Sequence, residues 1–277
     1  MNQKIPCSVG ILTLNSGQAL RRCLDSLKDF AEIIICDGNS TDNTLEIARE
    51  YGEKIVKQYD SNEPNLRCNK DKANVRQKNM EAASYGWYFF MDSDDTLPKG
   101  ITEEIGDIVA NPNPQFLVYR MPGRIFIDGR EIKHEASYPS YQIRLINRKI
   151  KPYFKGKVHD RLEFDRKKYK VGELKNYYDF HWTKERAENY WKYLKMYSGW
   201  EAEVFGHGSW RSFFYWCVYK RLRIIAGYLH RIPLMYLRYG FRDSMPLRIQ
   251  LLTLWSHFYL MYLFTKKQIF YVRHKRI

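Results

Sequence analysis

The residues with the clearest capacity for chemistry in this chain are acids. Residues 88–98 read YFFMDSDDTLP, so an apolar run ends in Asp92, Asp94 and Asp95 within a protein of net charge +15. Carboxylates this close repel one another unless a cation or cationic side chains sit among them. A hard divalent ion held by one or two carboxylates, its shell completed by substrate phosphates, is one solution. The bland alternative is an Asp-rich turn that caps a helix starting near Thr96-Leu97-Pro98. Two further polar clusters follow apolar runs: Thr13-Leu14-Asn15 after CSVGIL, and Asp37-Gly38-Asn39-Ser40 after EIIIC.

Such clusters act together only if the fold gathers them. Residues 7–14, 32–36 and 87–91 read as strands, being short, apolar and bounded by turn residues, and 53–59 as a further, shorter strand. Helical spacing separates them. Leu20, Leu24 and Leu27 share one face of a helix over 18–30, Thr41 or Asp42 can cap a helix running to about Tyr51, and a third helix covers about 72–83. This alternation predicts a mainly parallel sheet with helices on both faces. In such a sheet ligands bind beyond the carboxyl ends of the strands, so all three polar clusters belong on one rim. After Asn111-Pro112-Asn113-Pro114 the alternation stops. Residues 124–132 predict a hairpin turning at Asp128-Gly129, and 142–148 and 157–164 are strand candidates. From about Lys184 the pattern is helical and rich in aromatics.

DSDDT also fits the nucleophile motif of haloacid-dehalogenase-like phosphatases. That chemistry requires a later acidic pair, and Asp107, Asp128, Asp160, Asp165, Asp179 and Asp243 are all isolated. No dinucleotide-binding or P-loop glycine motif is present. Five scattered cysteines without a C-x-x-C spacing argue against a zinc cluster or disulfide framework and for a reducing compartment. The N-terminus reads as a strand, without a signal-peptide cleavage pattern. The basic balance calls for an anionic partner. With no aromatic strand motif of the RNA-recognition type, nucleic acid is not expected.

SVGILTLN, IIICDGNSTDNTLEIA, VRQKNMEAA and FFMDSDDTL, in this order and spacing, resemble family 2 inverting glycosyltransferases of the GT-A fold. QIRLINR, GKVHDRLEF and HWTKERAENYWKYLKMYSGWEAE resemble later segments of the bacterial lipopolysaccharide-core glucosyltransferase type. The resemblance implies a nucleotide-sugar donor, UDP-linked by first preference, and a divalent metal, Mg2+ or Mn2+. It implies metal contact by Asp94, with Asp92 on the metal or the donor ribose, and Asp95 facing sugar hydroxyls or capping a helix. Asp37 resembles the acid that accepts a hydrogen bond from the base, with Thr13 and Asn15 lining the nucleotide pocket. Arg76 and Lys78 would neutralise the diphosphate or lie on a solvated helix face. Asp160 matches the position of the general base, although the family usually carries Glu there; Glu163 is the fallback. His159 would orient the acceptor, His181 would complete the metal shell, and Arg144 would bind phosphate or buttress the site.

These readings give a GT-A catalytic domain over 1–182, with a nucleotide-sugar half (1–110) and an acceptor half (111–182). A helical, amphipathic extension follows over 183–277. Residues 247–264 have the length of a short membrane span but are broken by Arg248, Gln250, Thr253, Ser256 and His257. An amphipathic element lying in the interface of an anionic membrane is the expectation, with packing on the catalytic domain or in an oligomer as the alternative. The expected protein is cytoplasmic, peripheral on the inner face of the cell membrane, and transfers sugar to a glycan or lipid-linked acceptor. The non-enzymatic alternative is a membrane- or RNA-binding scaffold on the same fold.

Overall fold

The computed structural model describes residues 3–68, 71–137, 140–158, 160–205 and 209–274. His159 lies outside them. The first stretch alternates as its apolar periodicity demands: β1 (Ile5–Thr13), α1 (Gly17–Asp25), β2 (Phe30–Asp37), α2 (Thr44–Glu50), β3 (Lys54–Lys57), α3 (Lys72–Glu81) and β4 (Trp87–Asp92). Then come β5 (Asp95–Thr96), α4 (Lys99–Ala110), β6 (Val118–Ile127), β7 (Arg130–Ile132), β8 (Ser140–Asn147), β9 (Tyr153–Lys155), β10 (Arg161–Glu163), β11 (Gly172–Glu173) and β12 (Tyr178–Trp182). The remainder is helical: α5 (Lys184–Glu188), α6 (Tyr190–Val204), α7 (Trp210–Phe213), α8 (Lys220–Tyr239) and α9 (Leu247–His274).

The main sheet runs β3-β2-β1-β4-β8-β6-β12-β5. Its first four strands are parallel, and β8 joins β4 antiparallel. Strands β1, β2 and β4 are apolar along most of their length because both faces are covered. One core cluster packs α1, α2 and α4 against the sheet, and a second packs α3 with β9 and β10 on the other face. The register sets Thr13 beside Asp37 and Leu12 beside both Cys36 and Asp92. The expected convergence of strand ends is therefore met residue by residue.

A polar clamp fixes α3 on this sheet. Asn79 donates to the carbonyls of Ile11 (3.3 Å) and Ile34 (3.1 Å) and accepts from the Tyr88 hydroxyl at 3.0 Å. A Cβ at Gly10 would lie 2.0 Å from that hydroxyl, so only glycine permits the approach. The clamp sits about one helical turn from Arg76, whose position it sets.

Two expectations need correction. The acids of DSDD do not cap α4: its N-cap is Pro98, and Asp95 and Thr96 instead form a short strand paired with Phe180 and Asp179 of β12. The strand expected over 157–164 is confined to Arg161–Glu163, which pairs with β9 and not with the main sheet. Gly156, at φ 117°, breaks the extended backbone before it.

The chain forms two compact units, Met1–Ile125 with Pro139–His181, and Phe126–Tyr138 with Trp182–Ile277. In the first lies the sheet. In the second, Lys133 and His134 donate backbone hydrogen bonds to the Asp243 carbonyl, and Met245 donates to that of His134. Its core joins Ala202, Phe213, Cys217, Leu260 and Phe264.

Candidate active site

The end of β2 forms a hydrogen-bonded cradle. Asp37 is buried, and its carboxylate accepts from the Thr13 hydroxyl (2.7 Å), the Ser40 hydroxyl (2.6 Å) and the Ser40 N–H (2.7 Å). A carboxylate offers about four acceptor positions, so one remains for a further donor. Asn15, Asn39 and Asn65 all adopt left-handed backbone, at φ 50°, 59° and 58°. They are linked: Asn15 Nδ2 donates to Asn65 Oδ1 at 2.8 Å, and the Asn65 N–H donates to the Asn39 carbonyl at 2.9 Å. Non-glycine residues in this region concentrate at functional sites. Gly38 admits the covering loop, since a Cβ there would meet the Leu66 carbonyl at 2.4 Å.

At the end of β4 the acids meet cations. Arg76 Nη2 donates to Asp92 Oδ1 and Arg76 Nε to Asp160 Oδ2, both at 2.6 Å. Lys72 Nζ lies 3.8 Å from Asp92 Oδ1 and 3.7 Å from Asp160 Oδ1. One guanidinium thus joins the acid implied in donor and metal binding to the acid implied as general base. Arg76 is buried, which disfavours its charge, but the Asp92 and Asp160 carboxylates outweigh this and raise its pKa. Burial likewise opposes charge on Asp92, yet Lys72, Arg76 and Arg144 hold its carboxyl well below the usual range. Lys72 and Arg76 share a face of α3 at i, i+4.

A second ion pair lies behind this layer. Arg144 Nη1 donates to Asp95 Oδ2 at 2.7 Å, both side chains are almost fully buried, and the guanidinium stacks 4.2 Å from the Tyr178 ring centroid. Burial, with Asp92 and Asp94 nearby, pushes Asp95 up to about 7 against the pull of Arg144. Of the roles implied for Arg144, buttressing is the one its contacts serve.

Asp94 lies on the same turn and is partly exposed. The β5–β12 register, continued by one residue, brings His181 toward it, and His181 Nε2 is 2.9 Å from Thr96 Oγ1. Burial, then Arg22, lowers the His181 pKa, favouring the neutral form that ligates metals. No group of three or more His, Cys, Asp or Glu side chains placed to hold a metal occurs among the described residues. The donor set still fits a hard divalent ion that takes one or two carboxylates and finishes its shell on phosphate oxygens.

The fold thus brings Thr13, Asn15 and Asp37 into one cradle and Arg76, Asp92 and Asp160 into one ion cluster. Lys78 is exposed, as expected two residues round the helix from Arg76. Glu163 pairs with Tyr153 at the far end of the β9–β10 ladder from Asp160. Sequence reasoning missed Lys72, although its i, i+4 spacing to Arg76 was a usable signal. It also missed Gln58, whose Nε2 donates to the Thr13 (3.1 Å) and Cys36 (3.0 Å) carbonyls, while its buried Oε1 finds no hydrogen-bond partner among the described residues. A concavity of about 440 Å³ lined by Phe116, Lys149, Lys168 and Tyr169 shares none of these residues.

Comparison with known proteins places this geometry. The family described as Glycosyl transferase family 2 matches residues 8–164. The lipopolysaccharide core biosynthesis glycosyltransferase LpsC of Rhizobium meliloti (strain 1021) is 30% identical over 164 residues, 58% of this chain and 58% of that protein. The SPbeta prophage-derived glycosyltransferase SunS of Bacillus subtilis (strain 168) is 27% identical over 54% of this chain and 33% of its own length. The chain thus spans between a third and about three fifths of these relatives. Among solved structures, S. aureus TarS 1-349 aligns over 97% of this chain and 91% of its own, at 16% identity and TM-score 0.47.

Proposed function

We propose a specific reaction from an established premise: the chain belongs to glycosyl transferase family 2. The reaction is inverting transfer of a sugar from a nucleoside diphosphate sugar, UDP-linked by preference, to a hydroxyl of a glycan or lipid-linked acceptor. The observation that carries it is the Arg76 bridge, 2.6 Å to Asp92 and 2.6 Å to Asp160.

Asp37 takes a base N–H on its remaining acceptor position, and Thr13 and Asn15 shape the cradle around the nucleoside. A diphosphate entering beside Asp92 competes for Lys72 and Arg76, the two cations that otherwise hold both oxygens of Asp160. Drawing them toward phosphate frees Asp160 to accept a proton. It removes the acceptor hydroxyl's proton as that oxygen bonds the anomeric carbon, and the bond to the diphosphate breaks on the opposite face. A divalent metal held by Asp94 with Asp92 and His181 would neutralise charge on the leaving diphosphate. Arg144 and Asp95 position the acidic turn from behind.

The charge of the second unit supports a membrane location and a lipid-linked acceptor. Residues 205–277 hold thirteen Lys and Arg but a single acid, Asp243. No helix among the described residues is long and apolar enough to cross a membrane. We place the enzyme on the anionic inner face of the cell membrane, where a lipid-linked acceptor resides.

Asp160→Asn should bind UDP at least as tightly as wild type, since Lys72 and Arg76 lose a competing carboxylate, while transfer falls by about 100-fold or more. Normal turnover would move the base elsewhere. Calorimetric titration of UDP with and without Mn2+ tests the metal: Asp94→Ala should remove the metal dependence, and an unchanged titration would release Asp94 from that role.

A further inference from the structure

We infer that the element entering the membrane is not α9 but the aromatic ridge formed by α7, the π-helical stretch Phe214–Tyr219 and the first turn of α8, and that it docks on anionic lipid headgroups. This rests on the membrane reading of the second unit and is independent of the transfer chemistry.

Phe213 and Cys217 anchor the segment, buried in the core with Ala202, Leu260 and Phe264. Between and beyond these anchors, Trp210, Phe214, Tyr215, Trp216 and Tyr219 are each about half exposed, between 48% and 57%. A π-helical turn holds more residues than an α-turn and recurs at functional sites. Here it lets three consecutive aromatics, Phe214, Tyr215 and Trp216, face outward between two anchored positions. The rings support one another, with Tyr215–Trp216 centroids 5.4 Å and Tyr215–Tyr219 centroids 5.9 Å apart. Lys220 Nζ lies 3.4 Å from the Trp216 ring centroid, and Arg211 and Arg223 are exposed on either side. Amphipathic aromatics flanked by cations settle at a bilayer interface, and anionic headgroups complement their charge.

The apolar stripe of α9 differs. Leu251, Trp255, Phe258 and Tyr262 are exposed at spacings of four, three and four. Its flanking cations are mostly engaged within the unit: Arg248, three residues before Leu251, donates to the Glu188 carbonyl at 3.0 Å, and Lys267 donates to the carbonyls of Ala202, Glu203 and Phe205, with Lys266 exposed at the end of the stripe. A stripe whose flanking cations are engaged within the unit offers fewer headgroup contacts than the ridge.

The test is flotation of the full-length protein with vesicles of phosphatidylcholine alone or mixed with phosphatidylglycerol. Wild type should float with the anionic vesicles and stay behind with the neutral ones. Phe214→Ser/Trp216→Ser should weaken anionic binding by about tenfold or more, while Trp255→Ser/Phe258→Ser should bind like wild type. Arg211→Ser/Arg223→Ser, which leaves the apolar contacts intact, should lose binding that wild type likewise loses in high salt. Failure of wild type to float would overturn both the membrane reading and the ridge. Binding lost only in the α9 variant would overturn the ridge alone. Equal binding to neutral vesicles would remove the headgroup contact. A sedimenting dimer broken by the ridge variant, without flotation, would make the ridge an interface between copies of the chain.

Discussion

The two units treat charge in opposite ways. In the sheet unit the key charges are matched, with Arg76, Arg144 and Asp95 almost fully buried: Arg76 pairs with Asp92 and Asp160, Arg144 with Asp95, and the partly exposed Arg124 with Asp179 at 2.7 Å. In the helical unit, thirteen cations accompany one acid over residues 205–277. A buried charge must be paired or hydrogen-bonded. A pair such as Arg76 with Asp92 and Asp160, at the end of a strand, can exchange one partner for a charged ligand, whereas the enclosed Arg144–Asp95 pair serves the fold. An excess of cations on a surface marks attraction to an extended anion. On the reading proposed above, the difference separates the site that would take a diphosphate from the surface that would meet lipid.

The comparison can be broken from either side. The largest effect should come from Arg144→Met, which leaves Asp95 buried without its cation and should cost about 3–5 kcal/mol in chemical denaturation. Adding Asp95→Asn should recover most of that loss, and a double variant no better than the single would show that Arg144 stabilises by packing on Tyr178. Lys72→Met is next. Lys72 is about one third exposed, so stability should hardly change while UDP affinity falls about tenfold. Unaltered affinity would leave the diphosphate to Arg76 alone. The smallest effect concerns Glu53, which burial raises from 4.5 to about 7, with Lys4 opposing. A raised carboxyl pKa contributes stability that is complete below 4.5 and is lost as pH rises through about 7. Glu53→Gln should therefore be more stable than wild type at pH 8, by less than about 1 kcal/mol after solvent screening, and no more stable at pH 4. Equal thermal midpoints at pH 8 would show that Glu53 relaxes into solvent.

Much of the first unit was legible because apolar runs and polar strand ends are local signals. CSVGILTL, EIIIC and WYFFM are nearly continuous apolar runs, which is how a strand covered on both faces must read. In the second unit, Asp128 and Gly129, at φ 50° and 78°, make the expected hairpin turn. The short strand Asp95–Thr96 was not legible, since two residues carry no periodicity and pair only because β12 lies alongside. The Tyr215–Trp216 region read simply as an aromatic helix, because a π-helical turn leaves no mark in residue spacing.

The same division holds at the site. The chain by itself determined the candidates for its chemistry: polar residues at the end of β1, acids at the ends of β2 and β4, a basic helix before β4, and a family pattern over residues 8–164. Only the tertiary structure decided how they are coupled. Arg76 meets Asp92 across 16 residues and Asp160 across 84, because Asn79 pins α3 to the sheet while the turn before β10 returns to it. Periodicity records which face of an element is buried. It holds no information on which distant charge will share that burial, since this depends on sheet register and helix docking, set by the packing of the whole unit.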